Sequence, residues 1–439
     1  MNGKNRDGII RCEWDRLNKV VVHKPGFEMF LGLLEPYGSL YERAFSRDGA
    51  RYEHTHLTRM LEKECHVQVL NLKNEIIKEV QENDLAKRKL IDKTRETIAY
   101  SGNKKYIEGA KKEFERNCKY YDALHFLMIL LSQPLIQIKK KTGARNIALE
   151  IIQRQPLANL YFMRDQQFMT DNGIVLCRMS KPSRSKEVEV TKFLWKDILR
   201  LPILHEMQPP AIIEGGEFLP MGDFALVGIG DRTNQEAIDQ LLSLPLNYKE
   251  IGVVHQPPHP LIPSSKPHPM INMHLDTYFN VAGKDVVVGS QLLLKQAIVD
   301  VYHNEGEGVF IREHRRVTLD EYIREKNFNI IYITTIEQMC YATNFLCIQE
   351  NEILAVDSEP LTRNVLPTLK QAKLKDPEKY SALLEHAEKE YELLNNTGNF
   401  FPHKKEVYQH NILIHPLNLT HLTGGYGAAH CMTCALNRG

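Results

Sequence analysis

Short apolar runs rich in valine, isoleucine and leucine recur along this chain and alternate with stretches of helical periodicity. After residue 170, such runs occupy 173–177, 224–228, 286–289, 330–333, 345–348, 353–356 and 412–414. Runs of this length and composition predict buried strands. The stretches 235–244 and 366–393, which lie between them, have the spacing of helices. Alternating strands and helices predict an α/β fold.

The first 150 residues add a helical block to this pattern. A β-branched run closed by Pro25-Gly26 predicts a strand, 51–63 predicts a helix and 67–70 predicts a second strand. No proline occurs between Pro36 and Pro134, and residues 76–152 are dominated by lysine, glutamate, leucine, alanine and isoleucine. This composition predicts several helices, with breaks at 101–103 and 142–143.

Composition and charge exclude several classes of protein. Of the 439 residues, 43% are hydrophobic and 25% charged, which argues against a disordered or collagen-like chain. The formal net charge is +1, whereas binding to nucleic acid or acidic membranes normally requires a basic surplus. The N-terminus has no signal-peptide pattern, and the most apolar window, 124–138, is interrupted by polar residues and a proline. Eight mostly scattered cysteines indicate a reducing environment, so we expect a cytoplasmic protein without membrane spans.

A cysteine near the C-terminus follows a run of small residues. Cys431 comes after Gly424-Gly425-Tyr426-Gly427-Ala428-Ala429-His430. Backbone amides in such a run can approach a ligand and stabilise a thiolate, which fits a nucleophile. By itself, however, Cys431-x-x-Cys434 also fits a dithiol redox pair, half of a zinc site or buried core cysteines.

Other polar motifs offer acids and bases. In a strand, His274 and Asp276 would point to the same side, so that a base and a carboxylate share one site. Glu214 precedes two glycines, which fits a bend that aims the acid inward or an exposed turn. Asp165 follows Arg164, a pair that also fits a simple salt bridge. A proline-dense loop, 257–269, leads the chain into His274.

Taken in chain order, these motifs form one combined pattern. They are Asn159-x-x-Phe162-x-Arg164-Asp165, Arg184, Glu214-Gly215-Gly216, Arg232-Thr233, His274-Leu275-Asp276-Thr277 and His430-Cys431-Met432-Thr433. In this pattern the chain resembles the arginine deiminases over nearly its whole length. The resemblance implies a five-bladed α/β propeller, the pentein fold, built from residues 1–75 and 151–439, with an inserted helical domain at 76–150.

The resemblance also assigns catalytic roles, in which Cys431 is the nucleophile, His274 the general acid and then base, and Glu214 the carboxylate that orients His274. Asp165 and Asp276 would hold the guanidinium, whose planar fork of N–H donors two carboxylates can match. Resonance makes the guanidinium carbon a poor electrophile, so a strongly nucleophilic sulfur is needed. The implied reaction is hydrolysis of free L-arginine to L-citrulline and ammonia through a covalent thiouronium intermediate, with no metal or cofactor.

Five further residues would bind the remainder of the substrate: Asn159, Phe162, Arg184, Arg232 and Tyr426. The two arginines match the family's carboxylate-binding positions. Tyr426 is a departure, because the family often has an arginine five residues before the nucleophile. A neutral hydroxyl donates a hydrogen bond weaker by ~1–2 kcal/mol than a charged donor, so we expect weaker binding of the α-carboxylate.

Three alternatives remain open from the sequence. A related guanidine hydrolase would act on another arginine-like substrate or continue past citrulline to ornithine. A catalytically silent propeller would recruit a partner through its helical insertion, although the intact set of candidate catalytic residues argues against silence. In the third alternative, the Cys431-x-x-Cys434 pair is a metal or redox centre. Because propeller enzymes with exposed helical insertions often associate, we also expect a homo-oligomer.

Overall fold

A computed structural model describes residues 7–140, 147–268, 271–306 and 308–439. The strands are β1 (Leu17–Val22), β2 (Gln68–Asn71), β3 (Ala99–Gly102), β4 (Pro134–Lys140), β5 (Ile147–Gln153), β6 (Gln167–Met169), β7 (Ile174–Leu176), β8 (Ile203–Glu206), β9 (Phe218–Met221), β10 (Phe224–Ile229), β11 (Glu250–His255), β12 (Phe279–Val281), β13 (Val286–Ser290), β14 (Ile298–Asn304), β15 (Phe310–Thr318), β16 (Asn329–Ile333), β17 (Leu346–Gln349), β18 (Glu352–Val356), β19 (Leu413–Leu417) and β20 (Cys434–Arg438). The helices are α1 (Phe27–Leu33), α2 (Arg47–Arg59), α3 (Leu72–Glu82), α4 (Asp84–Thr97), α5 (Lys104–Asn117), α6 (Ala123–Ser132), α7 (Ser185–Phe193), α8 (Gln235–Leu242), α9 (Gln291–Leu294), α10 (Leu319–Glu325), α11 (Thr335–Met339), α12 (Ser358–Lys375), α13 (Pro377–Thr397) and α14 (Lys405–Gln409).

The sheets are mixed and share one pairing unit. In all six sheets of the described residues a middle strand has an antiparallel neighbour on one side and a parallel neighbour on the other: β20-β1-β2, β6-β7-β8, β9-β10-β11, β12-β13-β16, β17-β18-β19 and β3-β4-β5. Strands β14 and β15 extend the third of these sheets. The middle strands β7, β13 and β18 are buried along their whole length, which is why they read as unbroken apolar runs. The predicted α/β class is therefore confirmed, and each of the seven predicted runs coincides with a strand.

The predicted block of helices is correct only in part. Helices α3 to α6 are present, and Asn71, Asn83, Asn103 and Asp122 cap them by accepting hydrogen bonds from backbone N–H groups of the first turn. However, the block also contains a three-stranded sheet in the order β3-β4-β5. Residues 136–139 of β4 alternate apolar and polar as Ile-Gln-Ile-Lys, a two-residue period that the overall composition concealed. The break expected at 101–103 leads from β3 into α5, and the one at 142–143 lies outside the described residues.

The stretch 366–393, predicted to be helical, lies in two helices that pack against each other. Helix α12 ends at Lys375, and α13 begins at Pro377. Asp376 caps α13 by accepting a hydrogen bond from the backbone N–H of Lys379 at 3.1 Å. Proline suits the first helical position because its missing N–H would have no helical partner there.

The prediction that His274 and Asp276 lie on a strand is wrong. His274 has extended backbone angles, but Leu275–Thr277 form a 3-10 turn that leads into β12. The described part of the preceding proline-dense segment contains no helix or strand, as expected. Across the described residues, we find no helix that is long and apolar enough to cross a membrane.

Candidate active site

The five candidate catalytic side chains come from distant stretches of the chain and meet in the interior. Each is at most 4% exposed. His274 Nε2 lies 2.9 Å from Glu214 Oε2, and His274 Nδ1 lies 3.9 Å from Asp165 Oδ1. Cys431 Sγ lies 3.7 Å from Asp276 Oδ2. A nucleophile, an imidazole and three carboxylates thus form one cluster.

The glycines after Glu214 allow this approach. A Cβ atom on Gly216 would lie 2.7 Å from His274 Nδ1 and 3.0 Å from Asp276 Oδ1, closer than non-bonded atoms tolerate. A Cβ on Gly215 would lie 2.0 Å from the carbonyl oxygen of Arg164. The glycine pair is therefore a packing requirement of the site, and Glu214 is not on an exposed turn.

Glu214 and His274 form a charged pair. Ser180 donates two hydrogen bonds to Glu214 Oε1, from its N–H at 2.9 Å and its Oγ at 2.8 Å, and Arg232 Nη1 lies 3.5 Å from the same oxygen. Burial would raise the pKa of Glu214, but Arg232 and His274 hold it well below its usual range. Burial would lower the pKa of His274, but the hydrogen bond to Glu214 and the charge of Asp165 raise it to about 9. The imidazole therefore carries a proton at pH 7.

Asp165 and Asp276 each have one oxygen bound and one free of hydrogen bonds. Asp165 Oδ2 accepts a hydrogen bond from Arg184 Nη1 at 2.7 Å, and Asp276 Oδ2 lies 2.7 Å from His430 Nδ1. The Oδ1 atoms of both aspartates are buried and have no hydrogen-bond partner among the described residues. A buried carboxylate oxygen without a donor is costly, so this pair is suited to receiving the N–H donors of a cation.

Cys431 is held as a thiol in this arrangement. Burial raises the pKa of Cys431 well above its ordinary value, and the charges of Asp276 and Asp165 add to this effect. Asn344 opposes it by donating a hydrogen bond from Nδ2 to Sγ at 3.1 Å. The side-chain oxygen of Asn344 also accepts hydrogen bonds from the backbone N–H groups of Ala428 at 2.8 Å and Cys431 at 3.1 Å. A cation bound between the aspartates would favour the thiolate.

Eight of the ten predicted site residues line one cavity of about 30 Å³: Asn159, Phe162, Asp165, Arg184, Arg232, His274, Tyr426 and Cys431. Glu214 and Asp276 lie behind these walls. A space of this size holds only a few water molecules, so its walls must move apart before a molecule as large as arginine can enter.

The two predicted carboxylate-binding arginines differ in their contacts. Arg184 donates to Asp165 and also to Glu187 Oε2, from Nε at 3.0 Å and Nη2 at 2.8 Å. It therefore positions one of the acids that face the guanidinium. Arg232 donates to Ser180 Oγ at 3.3 Å. Its buried Nε lies 3.5 Å from Asp231 Oδ2 but has no hydrogen-bond partner among the described residues. Of the two, Arg232 has the donor to spare for a carboxylate.

Four residues with direct contacts to the predicted site residues received no role from the sequence: Ser180, Glu187, Asn344 and His430. His430 stood in a quoted motif, but its bond to Asp276 was not expected. Asn344 stood in no motif, and it contacts Cys431 only because the loop after α11 folds over the nucleophile.

Cys434 begins β20 and is 3% exposed. Its sulfur accepts a hydrogen bond from Gln167 Nε2 at 3.5 Å. The potential metal-ligating cluster within the described part of the chain is Cys65, Glu352 and His415, and neither Cys431 nor Cys434 belongs to it. These contacts favour a packing role for Cys434 over half of a zinc site.

Comparisons with known proteins agree on one family. The arginine deiminase family model matches residues 38–438. The arginine deiminase of Halobacterium salinarum is 25% identical, over 97% of this chain and 96% of that protein. The arginine deiminase of Staphylococcus epidermidis is 23% identical, over 81% of this chain and 90% of its own length. Among solved structures, the amidinotransferase SxtG of Microseira wollei superposes with a TM-score of 0.50 at 11% identity, covering 98% and 97% of the two chains, which is a similarity of fold.

Proposed function

The chain belongs to the arginine deiminase family, and on that premise we propose that it hydrolyses free L-arginine to L-citrulline and ammonia. It is thus a hydrolase of the C–N bonds of linear amidines. The observation that carries the proposal is the pair of donor-free carboxylate oxygens on Asp165 and Asp276 beside Cys431 and His274. This arrangement offers a planar cation two acceptors and places a nucleophile beside them.

The first half of the reaction forms a covalent intermediate. Asp165 and Asp276 bind the guanidinium, and its positive charge favours the thiolate of Cys431, whose proton passes to solvent. The sulfur adds to the guanidinium carbon, and the bond from that carbon to one terminal nitrogen breaks. His274, protonated at neutral pH, gives its proton to the departing nitrogen, which leaves as ammonia. A thiouronium remains bound to Cys431.

The second half releases the product. The now neutral His274 takes a proton from a water molecule, whose oxygen adds to the same carbon. The carbon–sulfur bond then breaks, and the sulfur takes up the proton that the new hydroxyl group loses, which restores the thiol of Cys431. The product carries a ureido group where the substrate had a guanidinium, and the enzyme returns to its starting protonation state. Glu214 keeps the imidazole oriented throughout, and Arg232 binds the substrate's α-carboxylate.

Related guanidine hydrolysis is the second candidate, and product analysis separates the two. We expect wild-type protein incubated with L-arginine to yield one citrulline and one ammonia per arginine consumed. Ornithine, carbon dioxide and two ammonias would instead identify an arginine dihydrolase. Absence of any product would favour the silent, partner-binding propeller.

Substitutions of the two nearby cysteines test the role of the sulfur. Cys431→Ala removes the only atom that can form the intermediate, so we expect citrulline formation to fall to background while the circular dichroism spectrum is unchanged. Cys434→Ala is the matched control and should retain activity within a few-fold. Loss of activity in both variants, together with a reducible disulfide or bound zinc in wild type, would favour a redox or metal centre.

The repeated pairing unit supports a finer proposal for the architecture. Five of the six sheets, all except β3-β4-β5, would be the five blades of an α/β propeller, with β1 and β20 closing the ring. Residues 76–150 would then be an inserted, mainly helical domain between the first two blades. We also propose a cytoplasmic location, which fractionation of cells would test, and a homo-oligomeric state, which sedimentation of the purified protein would test.

A further inference from the structure

A second and larger cavity adjoins the catalytic one. It has a volume of about 310 Å³ and shares two wall residues, Met273 and Tyr426, with the catalytic cavity. We call it the outer chamber. Its volume falls in the range of small-molecule pockets, roughly 300–1,000 Å³. Because the catalytic cavity must widen to admit a substrate, displacement of either shared side chain would join the two spaces.

The outer chamber is lined largely by apolar and aromatic groups. Helix α12 contributes Val365, Leu369 and Ala372, and Tyr341 and Tyr380 stand among the other walls. Walls of this kind suit an uncharged ring or alkyl group, whose transfer out of water is favourable.

The position of the guanidinium determines which part of a substrate faces this chamber. The reacting carbon must lie between Asp165, His274 and Cys431, so the rest of the molecule extends toward the other walls of the catalytic cavity. Tyr426 and Met273 are among those walls. The α-carbon end of an arginine can therefore reach the entrance of the outer chamber.

The charges of the wall residues determine which substituent of the α-carbon enters the outer chamber. Arg184 and Arg232 line the catalytic cavity and not the outer chamber, so a carboxylate is retained on the catalytic side. In the outer chamber, Glu42 is paired with Arg43. Burial, with the nearby charge of Lys379, lowers the pKa of His268 to about 4, so it is neutral at pH 7. Lys375 is the other charged wall residue, and its ammonium lies 5.9 Å from the centre of the Tyr37 ring. The remaining walls carry no charge and suit an uncharged group on the α-nitrogen.

We propose that the enzyme also accepts arginines that carry an apolar acyl group on the α-nitrogen, with the acyl group in the outer chamber. This inference rests on the proposed function, since the chemistry at the guanidinium is the same. Water and an Nα-acyl-L-arginine give ammonia and the Nα-acyl-L-citrulline. The amide bond to the acyl group is neither formed nor broken.

The test compares two substrates in three proteins. Ammonia release is measured with L-arginine and with Nα-benzoyl-L-arginine, and binding of the latter is measured by calorimetry. Ala372→Trp fills the outer chamber from α12 without touching the catalytic cavity. Leu374→Trp, on the same helix and 75% exposed, is the matched control. In wild type, we expect kcat/KM for the benzoyl compound to lie within about tenfold of that for L-arginine.

Selective loss in one variant is the expected signature. Ala372→Trp should lower kcat/KM for Nα-benzoyl-L-arginine by about tenfold or more and change that for L-arginine by less than about twofold. Leu374→Trp should change neither. Turnover of L-arginine alone, or equal losses with both substrates in Ala372→Trp, would overturn this inference and leave the proposed function standing. No turnover of either substrate, with benzoyl-arginine binding that Ala372→Trp still weakens, would overturn the proposed function and leave the outer chamber as a binding site.

Discussion

At the scale of single residues, the site depends on a proton held by His274. The carboxylate of Glu214, fixed by Ser180 and Arg232, keeps that proton on the imidazole until it is needed. The pKa of His274 is about 9, so the general acid is present at neutral pH and is lost as the pH rises through 9. The alkaline limb of the activity profile should report this group.

The Glu214→Gln variant tests the connection. The amide keeps the shape but removes the negative charge that raises the pKa of His274, so the imidazole loses its proton at a lower pH. We expect the alkaline limb of the kcat/KM profile for L-arginine to move to lower pH. Glu217→Gln is the control. The charge of Glu217 makes the smallest of the named contributions to the raised pKa of His274, and its carboxylate accepts hydrogen bonds from Leu275 and Gln256. An unmoved limb in Glu214→Gln, or an equal movement in both variants, would contradict the role given to Glu214.

The sequence predicted the residues to which we assign the reaction, but not those that position them. Cys431 and His274 stood in short motifs, because a nucleophile and a base need special neighbours along the chain. Asn344 and Glu187 act only through contacts made after folding, Asn344 on Cys431 and Glu187 on Arg184. An asparagine or a glutamate in a helix or loop has many possible uses, so no local pattern marks these two.

At the scale of elements, short turns rather than strands bring the acids together. Gly215–Glu217 and Leu275–Thr277 are both 3-10 turns, and they pack against each other. Each turn is stabilised by the other, because Glu217 Oε2 accepts a hydrogen bond from the backbone N–H of Leu275 at 2.9 Å. A change of one methyl group between the two turns should therefore disturb the chemistry.

Gly216→Ala is that change. The added Cβ would fall 2.7 Å from His274 Nδ1, so either the imidazole or the turn must move. We expect kcat for L-arginine to fall by about 100-fold, since misplacement of a catalytic group by about 1 Å has such an effect. Gly109→Ala in α5 is the control: nothing lies within 4 Å of the added atom, and alanine favours the helix by roughly 0.5–1 kcal/mol. Full activity in Gly216→Ala would mean that the turns adapt freely.

Element type was predictable where composition and period agreed, as in the apolar middle strands. The prediction of element type failed in β4. Lysine, leucine and isoleucine suit a helix or a strand there, and pairing with β3 and β5 determines that the segment is a strand. The prediction also failed at His274, where a single extended residue before a turn resembles a strand in sequence. Tertiary contacts determine the structure in both places.

At the scale of the whole molecule, the ends of the chain close the structure around the nucleophile. Strand β20 follows Cys431 directly and pairs antiparallel with β1. Arg438 Nη2 lies 3.0 Å from Glu13 Oε2, and Glu13 also pairs with Arg164, the neighbour of Asp165. Cys431 and Asp165 thus both lie close in the chain to one buried ion network, which joins the segments around Glu13 and Arg438.

The helical insertion is part of the same folded unit by its packing. One hydrophobic cluster contains Ile76 and Phe126 from the insertion together with Val20 of β1 and Trp195. A core shared in this way predicts that the insertion and the sheets unfold together, since neither can keep its buried surface alone. A segment that is inserted in the sequence is therefore not, for that reason alone, a domain that folds and unfolds by itself.

Phe126→Ala tests this cooperativity. The side chain is fully buried, so its removal should cost about 3–5 kcal/mol in the free energy of unfolding. We expect calorimetry to show a single transition in wild type and in the variant, shifted to lower temperature, with activity and helical circular dichroism lost together. Phe27→Ala, at a ring 45% exposed, should shift the transition much less. Two transitions, of which Phe126→Ala moves only one while activity follows the other, would show that the insertion is an independent domain, because a shared core cannot melt in separate parts.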